Sequence, residues 1–77
     1  MQTSVQDREF LKQLGKRIAK FRKKRKMTQI VLGDLCDMER ASIARLEAGN
    51  ANATSLTLAK ISKALDVSVK TFFDFKF

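Results

Sequence analysis

The sequence contains no proline, histidine, tryptophan or tyrosine, and it has only three glycines and one cysteine. Without proline and with little glycine, the chain is poor in β-turn residues, and its many Leu, Ala, Lys and Arg residues favour helices. A single cysteine excludes an internal disulfide, and without histidine the chain cannot assemble a Cys/His zinc site. We therefore expect an all-α protein that holds no metal and no cofactor.

The residue patterns of common enzymes and of membrane proteins are also missing. The sequence offers no histidine, no glycine-rich phosphate loop and no pair of carboxylates at catalytic spacing. It has no run of about 18 apolar residues, and its first residues form no apolar signal segment. These absences predict a cytoplasmic protein that is not an enzyme and does not enter a membrane.

Positive charge is abundant and unevenly placed. The 77 residues include 16 Lys and Arg against 8 Asp and Glu, and ten of the basic residues lie between Arg8 and Lys26. Glu9 is the only acid in that stretch. Such a field attracts polyanions, so nucleic acid is the first candidate partner and an anionic membrane surface the second. A solvated helix face would explain the run equally well, so charge alone does not decide the function.

Apolar spacing predicts a compact bundle of about five helices in one small domain. Residues 1–6 are polar and expected to be loose, residues 7–73 form the domain, and residues 74–77 form a tail. The first helix is expected to start with Asp7 as its N-cap and to end near Lys26. Its apolar stripe consists of Phe10, Leu14, Ile18 and Phe21.

Four shorter elements are predicted after the first helix. Thr28 caps a second helix that reaches about Cys36, and a third helix spans residues 40–48. Glu39 is expected to cap the third helix or to favour its N-terminal dipole, and Gly49 ends it. Thr54 or Ser55 caps a fourth helix, and Ser68 starts a short fifth one.

The second and third helices carry one apolar stripe each. Leu32, Leu35 and Cys36 form the first stripe, and Ile43 and Leu46 form the second. Between these helices Asp37 stands where the chain must reverse, and Asp66 follows the fourth helix in the same way. Both aspartates are predicted to adopt the left-handed conformation that glycine normally supplies.

Two helices joined by a turn of three or four residues form a helix-turn-helix, whose second helix can enter the major groove of DNA. Arginine can bind both acceptors of guanine, and alanine can contact a thymine methyl group. Small neighbouring residues let the helix backbone approach the bases closely. The candidate base-contacting residues are Arg40, Ala41, Ser42, Ala44 and Arg45.

The C-terminal residues 73–77, FDFKF, alternate apolar and polar side chains, which is a strand period. An isolated strand is unstable in water, so these rings either fold back onto the helices or contact a second chain. A small core has little room for six phenylalanines. We therefore favour a dimer contact through Phe73, Phe75 and Phe77.

The stretch MTQIVLGDLCDMERASIARLEAG, followed by LTLAKISKALDVSVKTFF, resembles the lambda-repressor-like helix-turn-helix family of phage and bacterial transcription regulators. The resemblance covers residues 14–73. It implies that the third helix reads bases through the residues named above and that Arg22 pairs with Glu47. It also implies phosphate contacts by Thr28, Gln29, Asn50, Asn52, Thr54 and Ser55.

The sequence departs from the family pattern at three positions. Gly33 stands where alanine is usual, which should weaken the second helix by roughly 1 kcal/mol. Asp37 and Asp66 replace glycines, and Asp37 adds a negative charge near the expected DNA surface. None of these departures removes the fold.

These observations predict a sequence-specific double-stranded DNA-binding protein that acts as a transcriptional repressor. It should bind as a homodimer to a pseudo-palindromic operator. A second hypothesis is a DNA-binding antitoxin or interaction module whose phenylalanine-rich C-terminus binds a protein partner. A third is sequence-independent binding of polyanions or membrane surfaces by the basic first helix.

Overall fold

A computed structural model describes residues 4–77, which form four α-helices and one 3₁₀ helix. The all-α prediction is confirmed, and the predicted fifth helix is a 3₁₀ turn. No strand forms within residues 4–77, so the alternation in the tail does not produce one. The helices are α1 (Val5–Lys24), α2 (Gln29–Cys36), α3 (Arg40–Glu47) and α4 (Ser55–Leu65), followed by the 3₁₀ helix (Val69–Phe73).

The start of α1 lies three residues earlier than the sequence suggested. Ser4 is the N-cap, and its hydroxyl accepts a hydrogen bond of 3.0 Å from the Asp7 N–H. The Asp7 carboxylate accepts the Ser4 N–H in return, at 3.4 Å, which completes a capping box. Asp7 as the N-cap was therefore wrong, and residues 4–6 are not loose. Residues 1–3 lie outside the described part of the chain.

The structure also decides the predicted N-caps of α2, α3 and α4. Thr28 accepts the Val31 N–H at 3.1 Å, as expected for the N-cap of α2. Thr54, and not Ser55, is the N-cap of α4. Glu39 occupies the N-cap position of α3 without a side-chain hydrogen bond, so its predicted capping role is not seen.

Left-handed residues end the helices where the sequence predicted them. Asp37 has φ of 56° and Asp66 has φ of 55°, which confirms both expectations. Lys26 also has a positive φ, 58°, and it turns the chain between α1 and α2. The first helix thus ends at Lys24, and the left-handed turn follows it directly.

All four α-helices and the 3₁₀ helix contribute to one core, which consists of Leu14, Ile18, Leu32, Cys36, Ile43, Leu46, Leu58, Ile61, Leu65 and Phe72. Leu35 is not part of it and is 59% exposed, contrary to the sequence prediction. The buried arc of α2 runs over Leu32, Gly33 and Cys36, because α3 and α4 pack on that side. Leu35 lies outside this arc, and its side chain is exposed to solvent.

Two glycines permit close backbone contacts around the helix-turn-helix. A Cβ on Gly15 would come within 2.4 Å of the Leu46 carbonyl oxygen, so α1 crosses the end of α3 at its glycine. A Cβ on Gly33 would come within 2.5 Å of the Met38 carbonyl oxygen. Glycine at these positions therefore brings α3 against α1 and the turn against α2.

The tail folds back against α1. The ring of Phe10 lies 6.0 Å from that of Phe73, 5.4 Å from that of Phe75 and 5.1 Å from that of Phe77, measured between centroids. We call Phe10, Phe73, Phe75 and Phe77 the phenylalanine cluster. Phe73 is 38% exposed and Phe77 is 70% exposed, so the cluster keeps a solvent-facing side. Contact of this side with a second chain stays a prediction.

The helices of residues 4–77 include none whose length and apolar character would let it cross a membrane.

Candidate nucleic-acid interface

One narrow side of α3 packs against the rest of the protein, and the other side is exposed to solvent. Ile43 and Leu46 are buried between α1 and α2. Of the predicted base-contacting residues, Arg40, Ala41 and Arg45 are exposed, and Ser42 and Ala44 are half-buried. We call these five residues the α3 face. The structure thus brings the predicted residues together on one helix surface.

Within residues 4–77, the side-chain hydrogen bond on the α3 face joins two of its own members, Arg45 and Ser42. One of the terminal nitrogens of Arg45 donates to the Ser42 hydroxyl at 3.3 Å. This weak bond lies along the helix surface and leaves most of the guanidinium donors free. The α3 face therefore combines two exposed cationic side chains with small residues between them.

A buried ion pair ties α3 to α1. The Arg22 Nε donates to Glu47 Oε2 at 2.6 Å, and Arg22 Nη2 donates to Glu47 Oε1 at 2.9 Å. A third nitrogen of Arg22 donates to the carbonyl of Met27 at 2.8 Å. This is the pair that the family resemblance implies. Because Arg22 bridges Glu47 and the turn before α2, it fixes α3 relative to the start of α2.

Gln29 joins the same network. Its side-chain amide donates to Glu47 Oε1 at 3.0 Å. The side chain that we expect to contact a DNA phosphate is thus held against α3 in the free protein. Gln29 opens α2, where the first backbone N–H groups of a helix lack internal partners and favour an anion. Thr28, beside it, is exposed while its hydroxyl caps the helix.

The other predicted phosphate contacts lie in and after the loop between α3 and α4. Asn50, Asn52, Thr54 and Ser55 are all exposed. The Thr54 hydroxyl accepts the Thr57 N–H at 3.1 Å, so it acts as a cap. Arg8 of α1 lines a shallow depression together with Asn50 and Asn52. No local sequence pattern connects Arg8 to this distant loop, so its position there could not be predicted.

Negative charge gathers beside the α3 face. Asp34, Asp37 and Glu39 line one depression of about 360 Å³ at the turn, together with Arg40. Asp37 therefore lies in the part of the surface where the sequence analysis placed it. Its charge opposes the attraction of a polyanion by Arg40.

Two further arginines, one in α1 and one at its C-cap, have structural partners that the sequence did not reveal. Arg17 donates twice to the Thr71 carbonyl, at 3.2 and 3.0 Å, and so anchors the 3₁₀ helix. Arg25 donates to the carbonyls of Leu65 and Asp66, at 2.8 and 3.2 Å, at the end of α4. These arginines satisfy backbone carbonyls of other elements, as Arg22 does for Met27.

Cys36 is a core residue, as the sequence suggested. It is 2% exposed. Burial raises the pKa of its thiol, and the nearby charge of Lys60 lowers that pKa by a smaller amount.

Comparisons with known proteins agree with this geometry. Residues 18–72 match the family model HTH_3, described as helix-turn-helix. No curated protein matches the sequence. The restriction-modification controller protein C.AhdI from Aeromonas hydrophila is similar in structure, with a TM-score of 0.80 and 25% identity over 82% of this chain and 96% of that one.

Two other solved structures are similar over parts of longer chains. The clp gene regulator ClgR from Corynebacterium glutamicum has a TM-score of 0.81 and 25% identity, covering 83% of this chain and 68% of its own. An HTH_3 family transcriptional regulator from Vibrio cholerae has a TM-score of 0.80 and 28% identity, covering 87% of this chain and 38% of its own.

The matched region runs from the last turns of α1 through α2, α3 and α4 into the 3₁₀ helix. The family and the similar regulators support DNA-binding transcriptional regulation. The chain belongs to the lambda-repressor-like helix-turn-helix family HTH_3.

Proposed function

We propose that this protein is a sequence-specific double-stranded DNA-binding repressor that inserts α3 into the major groove. The observation that carries the proposal is the α3 face, with Arg40 and Arg45 exposed among small residues. An α-helix fits the major groove, and arginine there can bind guanine through two hydrogen bonds. The buried pair of Arg22 and Glu47 supports this role, because it holds the reading helix in one orientation.

The proposed phosphate contacts are polar groups around α3, all of them exposed except the half-buried Gln29. Thr28 and Gln29 stand at the first turn of α2, and Asn50, Asn52, Thr54 and Ser55 lie beyond the C-terminus of α3. Contacts on both sides of α3 would fix its register on the duplex without reading sequence. Arg40, Ala41, Ser42, Ala44 and Arg45 would then select the operator.

The proposed active form is a homodimer on a pseudo-palindromic operator. A monomer presents one reading helix, whereas two helices in half-sites about 34 Å apart bind the same face of the duplex. The exposed rings of Phe73 and Phe77 support a contact through the phenylalanine cluster. Repression would follow where the occupied operator overlaps a promoter.

The same exposed rings favour a second candidate, a DNA-binding antitoxin or interaction module whose phenylalanine cluster binds a different protein. This candidate keeps α3 as the DNA-binding element and changes the partner at the C-terminus. Co-purification of a second, stoichiometric chain from the native source would favour it. A dimer of this chain alone in sedimentation would favour the homodimer.

The test is selection of binding sites from a randomised duplex library with the wild type and with R40A/R45A. We expect the wild type to enrich a two-fold-symmetric site and the double variant to lose that preference. Circular dichroism checks that the variant is folded. If the wild type enriches no sequence, the proposal of specific recognition is wrong.

A further inference from the structure

A stripe of lysines along α1 is not explained by the fold or by the α3 face. Lys12, Lys16, Lys20 and Lys24 recur every four residues, and Lys23 lies beside them. All five are exposed. We call them the lysine stripe. It lies opposite the buried side of α1, because residues four apart share one face of a helix and Leu14 and Ile18 occupy the other.

The basic residues of α1 divide by type. Arg17 and Arg22, together with Arg25 at the C-cap of α1, donate hydrogen bonds to other elements. No lysine takes part in an ion pair within residues 4–77, where the pairs are Arg17 with Asp74 and Arg22 with Glu47. Within residues 4–77, no ion pair therefore offsets the charge of the stripe. The hydrogen bonds that join α1 to other elements are made by arginines.

The spacing of the stripe does not serve helix stability. Like charges four residues apart repel, and Lys12, Lys16, Lys20 and Lys24 form three such pairs in succession. Glu9, at the N-terminal end of the same face, accepts a hydrogen bond from Gln13 at 3.0 Å. Within residues 4–77, the cation–π contacts of the stripe are those of Lys20 and Lys24 with the ring of Phe21, at 5.9 and 5.3 Å, and they form no ion pair.

The stripe begins and ends near candidate phosphate contacts. A Cβ on Gly49 would come within 2.7 Å of the Lys12 Cα, so the stripe starts beside the loop that carries Asn50 and Asn52. At its other end, Lys23 and Lys24 form the last turn of α1, directly before the segment that leads to Thr28. The stripe thus spans the distance between two groups of candidate phosphate contacts.

We propose that the lysine stripe is a second, sequence-independent binding surface for the phosphates of duplex DNA that flanks the site read by α3. From Lys12 to Lys24 the stripe is about 18 Å long, at ~1.5 Å of rise per residue. Duplex DNA carries one charge per about 1.7 Å of its axis, so a comparable length presents roughly ten phosphates. Flexible ammonium groups suit such a partner, because they bind phosphate as point charges without reading bases.

The observations favour DNA over a membrane surface. An interfacial helix buries an apolar face in the lipid, but the apolar side of α1 is already in the protein core, with Leu14 5% and Ile18 1% exposed. Binding of anionic vesicles is therefore an outcome of the test that would count against the proposal. The inference rests on the proposed DNA binding but not on its sequence specificity.

The experiment compares two variants of equal charge. K12Q/K16Q/K20Q/K23Q removes four charges from the stripe, and K60Q/K63Q/K70Q/K76Q removes four exposed lysine charges elsewhere. Affinity is titrated against salt on a short duplex that holds only the selected site and on a longer duplex with added flanks. A scrambled duplex and vesicles of anionic phospholipid complete the set.

For the stripe variant on the long duplex, the slope of log K against log salt should be smaller in magnitude by about two to four than for the wild type. Each phosphate that the protein neutralises contributes ~0.9 to this slope. The control variant should lose less than about one unit. The stripe variant should bind long and short duplexes with similar affinity and keep the selected sequence preference. Its melting temperature should equal or exceed that of the wild type, because the like-charge pairs are gone.

The outcomes separate this inference from the proposed function. If a site is selected but both variants lose the same slope, the stripe has no special role and sequence-specific binding stands. If no site is selected but only the stripe variant loses the slope, the stripe binds DNA and specific recognition is wrong. If the wild type binds vesicles and not duplexes, both proposals are overturned.

Discussion

The Arg22 guanidinium and the Glu47 carboxylate form a buried two-point ion pair, with distances of 2.6 and 2.9 Å and side-chain exposures of 10% and 7%. Glu47 also accepts from Gln29, so one carboxylate joins α1, α2 and α3. A buried pair contributes little net stability, but removal of one partner leaves an uncompensated charge. We infer that the main role of the pair is to fix the orientation of α3 relative to α1 and α2.

Arg22→Met alone should lower the free energy of unfolding by about 3–5 kcal/mol, because Glu47 is left buried and charged. The double variant Arg22→Met/Glu47→Leu should recover most of this loss. Urea denaturation measures both. Asp74→Asn is the control, because Asp74 is 86% exposed and pairs with Arg17 at 3.9 Å, where the expected loss is below about 1 kcal/mol. A loss equal to that of the control would contradict the orienting role.

Gly33→Ala tests the contact between α2 and the turn. Helix propensity alone predicts a gain of about 1 kcal/mol, as the sequence analysis assumed. The added Cβ would instead lie 2.5 Å from the Met38 carbonyl oxygen, so we expect a net loss of stability. Thermal unfolding measures the sign, and Asp34→Ala, at the exposed neighbouring position, shows the effect of propensity without the clash. A more stable Gly33→Ala variant would mean that the turn relaxes.

Most of the fold could be predicted because its determinants are local. The caps at Thr28 and Thr54 and the left-handed turns at Asp37 and Asp66 depend on residues within one helical turn. The capping box of Ser4 was equally local, and the S-x-x-D spacing could have identified it. The prediction that Leu35 belongs to the buried stripe was wrong. A short helix carries apolar residues over a wide arc, and the packing of neighbouring elements determines which of them are buried.

The α3 face was also predictable, because helical periodicity separates its exposed residues from Ile43 and Leu46. The roles of Arg17 and Arg25 were not. Arg17 meets Thr71 across 54 residues of sequence and Arg25 meets Leu65 across 40, and no local pattern encodes such pairs. In the sequence these arginines count as free charge, whereas in the structure they are hydrogen-bonded to the 3₁₀ helix and the end of α4.

Truncation of Phe72 should destabilise the protein far more than truncation of Phe77. Phe72 is fully buried, so Phe72→Ala should lower the free energy of unfolding by about 3–5 kcal/mol. Phe77 is 70% exposed, so Phe77→Ala should cost less than about 1 kcal/mol in the monomer. If the phenylalanine cluster forms the dimer contact, Phe77→Ala should also shift sedimentation towards the 8.8 kDa monomer. An unchanged association state would place the dimer contact elsewhere.

Asp37→Gly and Asp66→Gly form a matched pair. Both remove a left-handed aspartate from a helix C-terminus, where its backbone is strained and its charge opposes the helix dipole, so each should gain up to about 1 kcal/mol. Only Asp37 lies beside Arg40 at the edge of the α3 face. Asp37→Gly should therefore strengthen binding to every duplex at low salt, while Asp66→Gly leaves affinity unchanged. Equal affinities for the two variants would show that Asp37 does not face the DNA.

Arg45→Ala should change the sequence preference of DNA binding, whereas Gln29→Ala should lower the affinity for all duplexes. Arg45 is exposed on the α3 face, so its loss should relax the base preference at one operator position and cost about 1–3 kcal/mol on the selected site. Gln29 stands at the start of α2 and touches Glu47, so its loss should weaken selected and scrambled duplexes alike. Binding titrations on both duplexes, with circular dichroism to check folding, measure the difference. If Arg45→Ala weakens both duplexes equally, Arg45 contacts phosphate, and the choice of operator falls to Arg40 and the small residues beside it.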